Sequence, residues 1–137
     1  QYAAITAHKN NHDDYIQKSK NILKSVGNYV YENLKSNDVL INKPQGGFYL
    51  MPEFVGKKFN SSSEMCKDIL EKTGVALLPG SDFGFKENKL LARLSFTDFD
   101  GKNFMEKTHN EKLDNQTIKN FAPKVVEGVN RLKNWSK

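Results

Sequence analysis

The sequence predicts an α+β fold, in which a small, mainly antiparallel sheet of about four short strands is covered by helices, with a long helix near the N-terminus. Two long stretches repeat apolar residues at three- and four-residue steps, which is typical of amphipathic helices. A shorter helical pattern lies between them, and short apolar runs bounded by turn residues separate the three helices. Short strands interleaved with helices favour a sheet covered by helices.

The N-terminal part of the chain contains two helical segments. Residues 2–10 have helical composition but no cap, which indicates the end of a helix that began upstream. The polar residues 11–14 can cap the next helix, which extends from Tyr15 to about Leu34. Its apolar stripe is formed by Ile16, Leu23, Val26, Val30 and Leu34.

End signals define the two later helices. Ser61 and Glu64 have the separation of a capping box, and Gly74 stands where a left-handed cap ends a helix. The apolar pattern of a second long helix reaches Trp135. Pro123 is best tolerated in the first turn of that helix, which allows a later start than the apolar pattern suggests.

The predicted strands are short apolar runs that end at turn signals. They cover residues 39–41, 48–51, 75–78 and 90–96. The stretch 81–85 places two aromatic residues among glycines, which is typical of a shaped loop. A short helix is expected around residues 104–105, and the polar segment 107–114 is expected to be exposed.

Length and composition exclude several classes of protein. A chain of 137 residues is long enough for one domain with its own core and too short for two ordinary domains. No apolar run approaches the length of a membrane span, so no membrane partner is expected. The lysines that give a net charge of +5 are scattered without a basic-aromatic stripe, so no nucleic-acid partner is expected. The single Cys66 excludes an internal disulfide and fits a reducing compartment, which favours the cytoplasm.

Arg93 lies in the middle of the apolar run 90–96 and is one of only two arginines in the chain. An arginine among leucines is costly unless an anion meets it, and the guanidinium fork suits bidentate binding of a carboxylate. Two other interpretations stay open at this point. Arg93 is either the outward residue of a half-exposed strand, or it pairs with an acid inside the domain.

Motifs alone reveal no complete active site. The chain has no phosphate loop, no nucleophile elbow and no dinucleotide fingerprint. His8 and His12 have the i, i+4 spacing of a metal pair but enclose a poor helical segment, and His109 lies in another polar stretch, so no metal site is predicted. Cys66 falls on an apolar helical face and is expected to pack in the core.

Three motifs follow one another along the chain. They are K-P-Q-G-G-F-Y-L at 43–50, T-G-V-A-L-L-P-G-S-D-F-G at 73–84 and A-R-L-S-F at 92–96. In this combination and order they resemble the C-terminal domain of class I/II aminotransferases, the pyridoxal-phosphate enzymes of the aspartate aminotransferase fold. The opening residues 1–4 also resemble the stretch in which the polypeptide of that family passes out of its large domain, so the likeness covers nearly the whole chain.

The resemblance implies a role in substrate binding for three residues. Arg93 stands where the family's arginine binds the α-carboxylate of the amino-acid substrate. Gly47 and Phe48 match the segment that lines the substrate pocket, and roles as a bulge and a core strand explain them equally well. Residues 79–84 match the loop that shapes the approach to the pocket, for which a simple turn is the alternative.

The resemblance also implies what this chain lacks. The family's Schiff-base lysine lies in a Ser-Lys segment followed by Gly-x-Arg, and Ser19-Lys20 with Gly27 departs from that pattern. Catalytic and cofactor-binding residues are therefore expected outside this chain, with pyridoxal 5′-phosphate bound by a large domain. Residues 1–10 would be the tail of that large domain and residues 11–137 the C-terminal domain. The full-length enzyme is expected to be a homodimer, and this piece of it inactive alone.

Two classes of function follow from these observations. The leading hypothesis is transamination between an amino acid and a 2-oxo acid, of the aspartate or aromatic type, by the full-length enzyme. A pyridoxal-phosphate-dependent lyase or acyl-transferase is the nearest enzymatic alternative. The alternative from another class is a stand-alone, non-catalytic α+β module that binds an anionic ligand or a protein partner. A Schiff-base lysine motif encoded upstream of Gln1 would favour the enzyme.

Overall fold

The computed structural model describes residues 1–108 and 113–137, so His109 and part of the polar segment 107–114 lie outside the described residues. Within them the chain alternates helices with short strands. The helices are α1 (Tyr2–Lys9), α2 (Asp13–Leu34), α3 (Ser62–Thr73), α4 (Gly101–Lys107), α5 (Asn115–Phe121) and α6 (Pro123–Ser136). The strands are β1 (Val39–Leu40), β2 (Tyr49–Leu50), β3 (Glu53–Phe54), β4 (Leu78–Pro79) and β5 (Ala92–Ser95). A 3₁₀ turn (Gly80–Phe83) follows β4 directly.

The strands form two small antiparallel sheets, and this confirms the predicted α+β class. β5 is the central strand of the larger sheet, with β2 on one side and β4 on the other. β1 pairs with β3, and a bridge between Glu53 and Leu91 connects this pair to the residues before β5. The sequence does not predict β3, because Pro52 ends the apolar run from which the preceding strand is recognised.

The strand predicted over residues 75–78 is wrong in its extent, because the paired residues are Leu78 and Pro79 alone. Leu78 lies opposite Arg93, and Pro79 lies opposite Ala92. Since β4 is an edge strand, the missing N–H of Pro79 breaks no ladder hydrogen bond. The short β4 delivers the chain to the 3₁₀ turn beside β5.

One hydrophobic core lies between the sheets and α2, α3 and α6. Each large apolar side chain buried there stabilises the fold by about 1.5–3 kcal/mol. α1 takes no part, since none of its residues is buried. None of the described helices has the length and apolar character needed to cross a bilayer. The largest fully buried side chains are Phe54, Phe96, Phe104, Leu34, Met65, Ile69, Ile118 and Leu132.

The capping prediction for α3 is confirmed at both ends. Ser61 Oγ accepts the N–H of Glu64 at 3.1 Å, and the Glu64 carboxylate accepts the N–H of Asn60 at 3.0 Å. Gly74 has a left-handed φ of 71°, and its N–H donates to the carbonyl of Leu70 at 2.9 Å. These local bonds satisfy backbone groups that the helix leaves unpaired, so its length is set by the sequence around it.

The apolar pattern near the C-terminus forms two helices instead of one. α5 ends at Phe121, and α6 begins at Pro123, so the later start that Pro123 allows is confirmed. Ala122 lies between them with φ −128° and ψ 49°, which is outside the helical region. A proline disfavours the helical conformation of the residue before it, and this explains the break at Ala122.

The end of α6 is attached to α3 through Trp135. The indole Nε1 donates to Asp68 Oδ2 at 2.8 Å, and Lys72 Nζ lies 2.7 Å from Asp68 Oδ1. The ring of Phe59 stacks on the indole, and Lys57 Nζ lies 5.1 Å from the centroid of the indole. The hydrogen bond from Lys72, followed by that from the indole, holds the pKa of Asp68 below its ordinary value.

The close approach of Gly80 to Leu91 determines how the 3₁₀ turn begins. The Gly80 N–H donates to the Leu91 carbonyl at 2.7 Å. A Cβ at position 80 would lie 2.7 Å from the same carbonyl oxygen, a distance that real Cβ atoms do not adopt. Only glycine therefore allows the two backbone segments to meet at this distance.

Asp68→Asn is expected to remove a stabilising contribution that depends on pH. Because the folded-state pKa of Asp68 is lowered, this contribution is complete above the unfolded-state pKa of about 4 and is lost as the pH falls through the folded-state value. The variant should melt at a lower temperature than the wild type at pH 7, and the two melting temperatures should converge once the pH lies below the folded-state pKa of Asp68. Fluorescence of Trp135, the single tryptophan, follows the transition.

Glu71→Gln is the matched control on the same helix. It breaks only the exposed Lys67–Glu71 pair, whose charged atoms are 3.9 Å apart, and such pairs contribute little. Its melting temperature should follow that of the wild type at every pH. A gap between the melting temperatures of Asp68→Asn and the wild type that does not narrow as the pH falls below about 4 would contradict the assigned role of the carboxylate.

Gly80→Ala should destabilise the domain by about 1–3 kcal/mol, because the added methyl group overlaps the Leu91 carbonyl and forces the two segments apart. Urea denaturation of the two proteins measures the difference. Gly101→Ala is the control, since a Cβ placed at position 101 meets no atom within 4 Å apart from its chain neighbours and the backbone of its own helix. Equal stability of the Gly80→Ala variant and the wild type would show that the approach of the two segments is not tight.

Candidate functional site

Arg93 is presented on the outer face of the central strand. Ala92 and Leu94 are buried, whereas Arg93 is half-buried and Ser95 is exposed, which is the alternation of a strand with one covered face. Leu78 lies directly opposite Arg93 on β4 and is exposed. The sequence interpretation that Arg93 points outward from a half-exposed strand is therefore confirmed for its position.

Two aromatic rings hold the Arg93 guanidinium between them. Its Cζ lies 4.4 Å from the ring centroid of Tyr49 and 4.4 Å from that of Phe83. Tyr49 belongs to β2 and Phe83 follows β4, so the rings reach Arg93 from opposite sides of β5. Each cation–π contact at a partly exposed site stabilises by roughly 0.5–1 kcal/mol. We call Arg93, Tyr49 and Phe83 the Arg93 cluster.

The Arg93 cluster contains no acid. Among residues 1–108 and 113–137, no carboxylate lies within ion-pair distance of the guanidinium, and no side-chain or backbone acceptor takes a hydrogen bond from it. The interpretation in which Arg93 pairs with an acid of its own domain therefore has no partner in the described chain. The guanidinium N–H groups lie in its plane, and aromatic faces do not use them as carbonyl or carboxylate oxygens would. The cluster can accept an anion from outside.

Arg131, the second arginine, is bonded within the domain. Its Nη1 donates to the carbonyl of Thr73 at 2.8 Å, and its Nη2 contacts Glu127 one turn earlier on α6. These bonds connect α6 to the end of α3. Of the two arginines, Arg93 is thus the one whose charge has no acidic partner in the described residues.

Phe48 and Gly47, which precede β2, border different surfaces of the domain. The Phe48 ring lies 4.2 Å from that of Tyr49, centroid to centroid, which places it beside the Arg93 cluster. Gly47 has a left-handed φ of 69° and lines a groove of about 560 Å³ against the first half of α2. Pro44 and Phe96 line the same groove, whereas Arg93 does not. Of the two predicted pocket residues, Phe48 thus contacts a member of the Arg93 cluster, and Gly47 lines the groove.

Sequence reasoning does not identify Tyr49 and Phe83 as partners of Arg93. Tyr49 is paired with Ser95, two residues from Arg93, so it lies on the same face diagonally across the sheet. Phe83 comes from the loop among glycines, whose aromatic content was the available signal. Strand order is needed to place either ring, and no local pattern specifies that order.

The other candidate groups do not form a second site. Burial raises the pKa of the Cys66 thiol to about 11, with a smaller contribution from Asp82, so the thiol stays protonated and packs in the core as predicted. His8 lies on α1 and His12 precedes α2, so a helix break separates them. Among the described residues no group of three or more potential metal ligands occurs.

Comparison with known proteins finds aminotransferases among the relatives of this chain. The family model for aminotransferase class I and II matches residues 1–106. The probable N-acetyl-LL-diaminopimelate aminotransferase of Bacillus subtilis is 38% identical over 84 residues, which is 61% of this chain and 21% of the relative. The aspartate aminotransferase of Sulfolobus acidocaldarius is 27% identical over 123 residues, which is 87% of this chain and 27% of the relative.

A solved structure shows the same arrangement of elements. The aspartate aminotransferase of Thermotoga maritima superposes with a TM-score of 0.62 at 25% identity, over 98% of this chain and 27% of its own. The chain therefore spans between a fifth and about a quarter of the length of the relatives that it matches.

Proposed function

The chain belongs to the class I and II aminotransferases, and from this membership we propose that the whole protein exchanges an amino group between an amino acid and a 2-oxo acid, with Arg93 binding the substrate α-carboxylate. The observation that supports this role is the Arg93 cluster. It holds a cation between two rings, on an exposed sheet face, with no acid of the described residues to neutralise it.

The chemistry of the cluster matches a carboxylate ligand. A carboxylate accepts two parallel N–H bonds from a guanidinium, and each charge-assisted bond contributes about 1.5–3 kcal/mol. The rings of Tyr49 and Phe83 displace water from the guanidinium, and a lower local polarity strengthens its attraction for an anion. Phe48, beside Tyr49, would add a third ring to the apolar surface next to the bound substrate. Gly47 would set the direction in which the chain enters β2.

Pyridoxal 5′-phosphate is the cofactor that the family resemblance implies, and the family's lysine motif is absent from this sequence. Lys20, which follows Ser19 as the family's lysine follows a serine, is exposed on the surface of α2. We therefore propose that a large domain binds the cofactor, which supplies the electron sink for amino-group exchange. The residues of this chain would bind and orient the substrate.

The exposure of α1 supports a division of the chain into two parts. Tyr2 is 89% exposed, no residue of α1 is buried, and Asn10 is extended, so α1 is separate from the core. A helix of eight residues is not stable in water by itself and needs a packing partner. We propose that residues 1–10 are the tail of the large domain and residues 11–137 the C-terminal domain. The single buried Cys66 supports a cytoplasmic location, and the family resemblance supports a homodimer.

We propose aspartate or an aromatic amino acid as the substrate. The relatives from Sulfolobus acidocaldarius and Thermotoga maritima are aspartate aminotransferases, which supports aspartate, and the rings around Arg93 support an aromatic side chain. The second carboxylate of aspartate would need a second cation. Arg131 is bonded to Thr73 and Glu127, so it would not supply that cation.

Arg93→Lys in the whole protein tests the proposed role. Lysine keeps the charge but loses the fork, so kcat/KM for the amino acid should fall by about 10- to 100-fold. The decarboxylated amine of the same amino acid should react as poorly with the variant as with the wild type. The ratio of kcat/KM for the amino acid to kcat/KM for the amine should therefore fall. The melting temperature should change little, because Arg93 has no ion pair in the described chain to lose.

Arg131→Lys is the matched control for that experiment. It should lower the melting temperature, since Arg131 donates to the Thr73 carbonyl, and leave the ratio of kcat/KM values unchanged. The proposal fails if Arg93→Lys lowers the melting temperature and leaves the ratio unchanged. Arg93 would then support the fold and would not bind substrate.

The 137-residue chain alone should neither form a Schiff base with pyridoxal phosphate at a defined site nor transaminate. The reason is that the family's lysine motif is absent from the sequence. Titration of the chain with the cofactor, followed by absorbance and by an assay for 2-oxo acid, measures both. A band that saturates at one cofactor per chain, together with turnover, would disprove this prediction.

A further inference from the structure

We propose that Tyr49 and Phe83 are positioning residues, which hold the Arg93 guanidinium in its anion-binding orientation before the ligand arrives. This inference rests on the proposed role of Arg93 and concerns how that role is prepared. A free arginine side chain samples many rotamers, and fixing it on binding costs conformational entropy. A side chain that is fixed beforehand does not impose that cost on binding.

The ring of Tyr49 is fixed by strand pairing. Tyr49 pairs with Ser95 and Leu50 with Leu94, so the register of β2 against β5 determines where the ring lies. The neighbouring Phe48 ring packs on it at 4.2 Å and restricts its movement. Arg93 is on the same strand as Ser95, so the position of the Tyr49 ring beside Arg93 is a direct result of sheet geometry. We call the two rings of Tyr49 and Phe83 that hold Arg93 the clamp.

The ring of Phe83 is fixed by the 3₁₀ turn that carries it. The turn begins at Gly80, which is held against the Leu91 carbonyl at 2.7 Å. The N–H of Ser81 donates to Ser62 Oγ at 3.3 Å, and Ser62 is fully buried at the start of α3. The turn closes at Gly84, whose N–H donates to the Ser81 carbonyl. An exposed ring thus has a rigid support.

Phe85 shows that exposure alone does not explain the position of Phe83. The two side chains are two residues apart and are 40% and 41% exposed. Phe83 lies against Arg93, whereas Phe85 has no ring or cation contact among the described residues. A surface that only bound an apolar partner would use both rings alike. The contact with Arg93 singles out Phe83.

Side-chain NMR of the 137-residue chain tests the clamp without activity. The chain has two arginines and therefore two Nε–Hε signals, and Arg131→Lys assigns them. In the wild type the Arg93 signal should be as rigid as the backbone. Phe83→Ala should shift that signal and increase its motion, with the Arg131 signal unchanged. Phe85→Ala, at almost equal exposure, should change neither.

Two further variants separate an aromatic clamp from simple apolar cover. Phe83→Tyr keeps the ring face, so the Arg93 signal should stay rigid, whereas Phe83→Leu keeps apolar contact without the face and should release it. The proposal is overturned if the Arg93 signal is mobile in the wild type. It is equally overturned if Phe83→Ala leaves the signal unchanged, or if Phe83→Leu behaves like the wild type.

Kinetics of the whole enzyme connect the clamp to binding. Phe83→Ala should raise KM for the amino acid about 3- to 10-fold with little change in kcat, since a disordered Arg93 weakens ground-state and transition-state binding alike. Phe83→Tyr should restore KM, and Phe85→Ala should leave it unchanged. An unchanged KM in Phe83→Ala, when Arg93→Lys lowers the amino-acid to amine ratio, overturns the clamp alone. An unchanged ratio in Arg93→Lys, with the NMR effect of Phe83→Ala present, overturns the proposed function and leaves the clamp standing.

Discussion

The central position of β5 is the constraint on which the rest of this domain depends. Because β2 and β4 flank it, its inward residues Ala92 and Leu94 are covered by the core, and its outward residue Arg93 is reached from both sides. The same pairing brings Tyr49 from one neighbour and Phe83 from beyond the other. One strand of four residues therefore organises both the core and the candidate site.

Local chemistry explains which parts of the fold can be predicted from the sequence. The ends of α3 are determined by Ser61, Glu64 and Gly74, which bond to backbone groups within four residues, so the sequence around them is sufficient. The start of α6 at Pro123 follows from proline geometry in the same way. β3 and the true extent of β4 are not predictable in this manner, because strands of two residues are defined by partners far away in sequence. Their pairing is a tertiary property.

The residues of the candidate site also differ in whether the sequence alone can predict them. Arg93 is recognisable in the sequence as a lone arginine among leucines, because the cost of burying its charge asks for an explanation. Tyr49 and Phe83 are separated from it by 44 and 10 residues, and only the strand order places their rings beside the guanidinium. Gly47 precedes Phe48 in the same motif, yet it lines the groove against α2. Adjacent residues of a motif can thus serve different surfaces.

The absence of an acid from the Arg93 cluster, within the described residues, has a physical advantage for a binding site. A carboxylate of the same domain would neutralise the guanidinium, but it would also compete with any incoming carboxylate, and the ligand would have to replace bonds already made. Aromatic faces stabilise the cation through their quadrupole and leave the in-plane donors for the ligand. Arg131 illustrates the opposite arrangement, since its bonds to Thr73 and Glu127 hold α6 to α3. In the proposed function, one arginine of this chain stabilises the fold and the other binds substrate, according to which partner the fold places beside each of them.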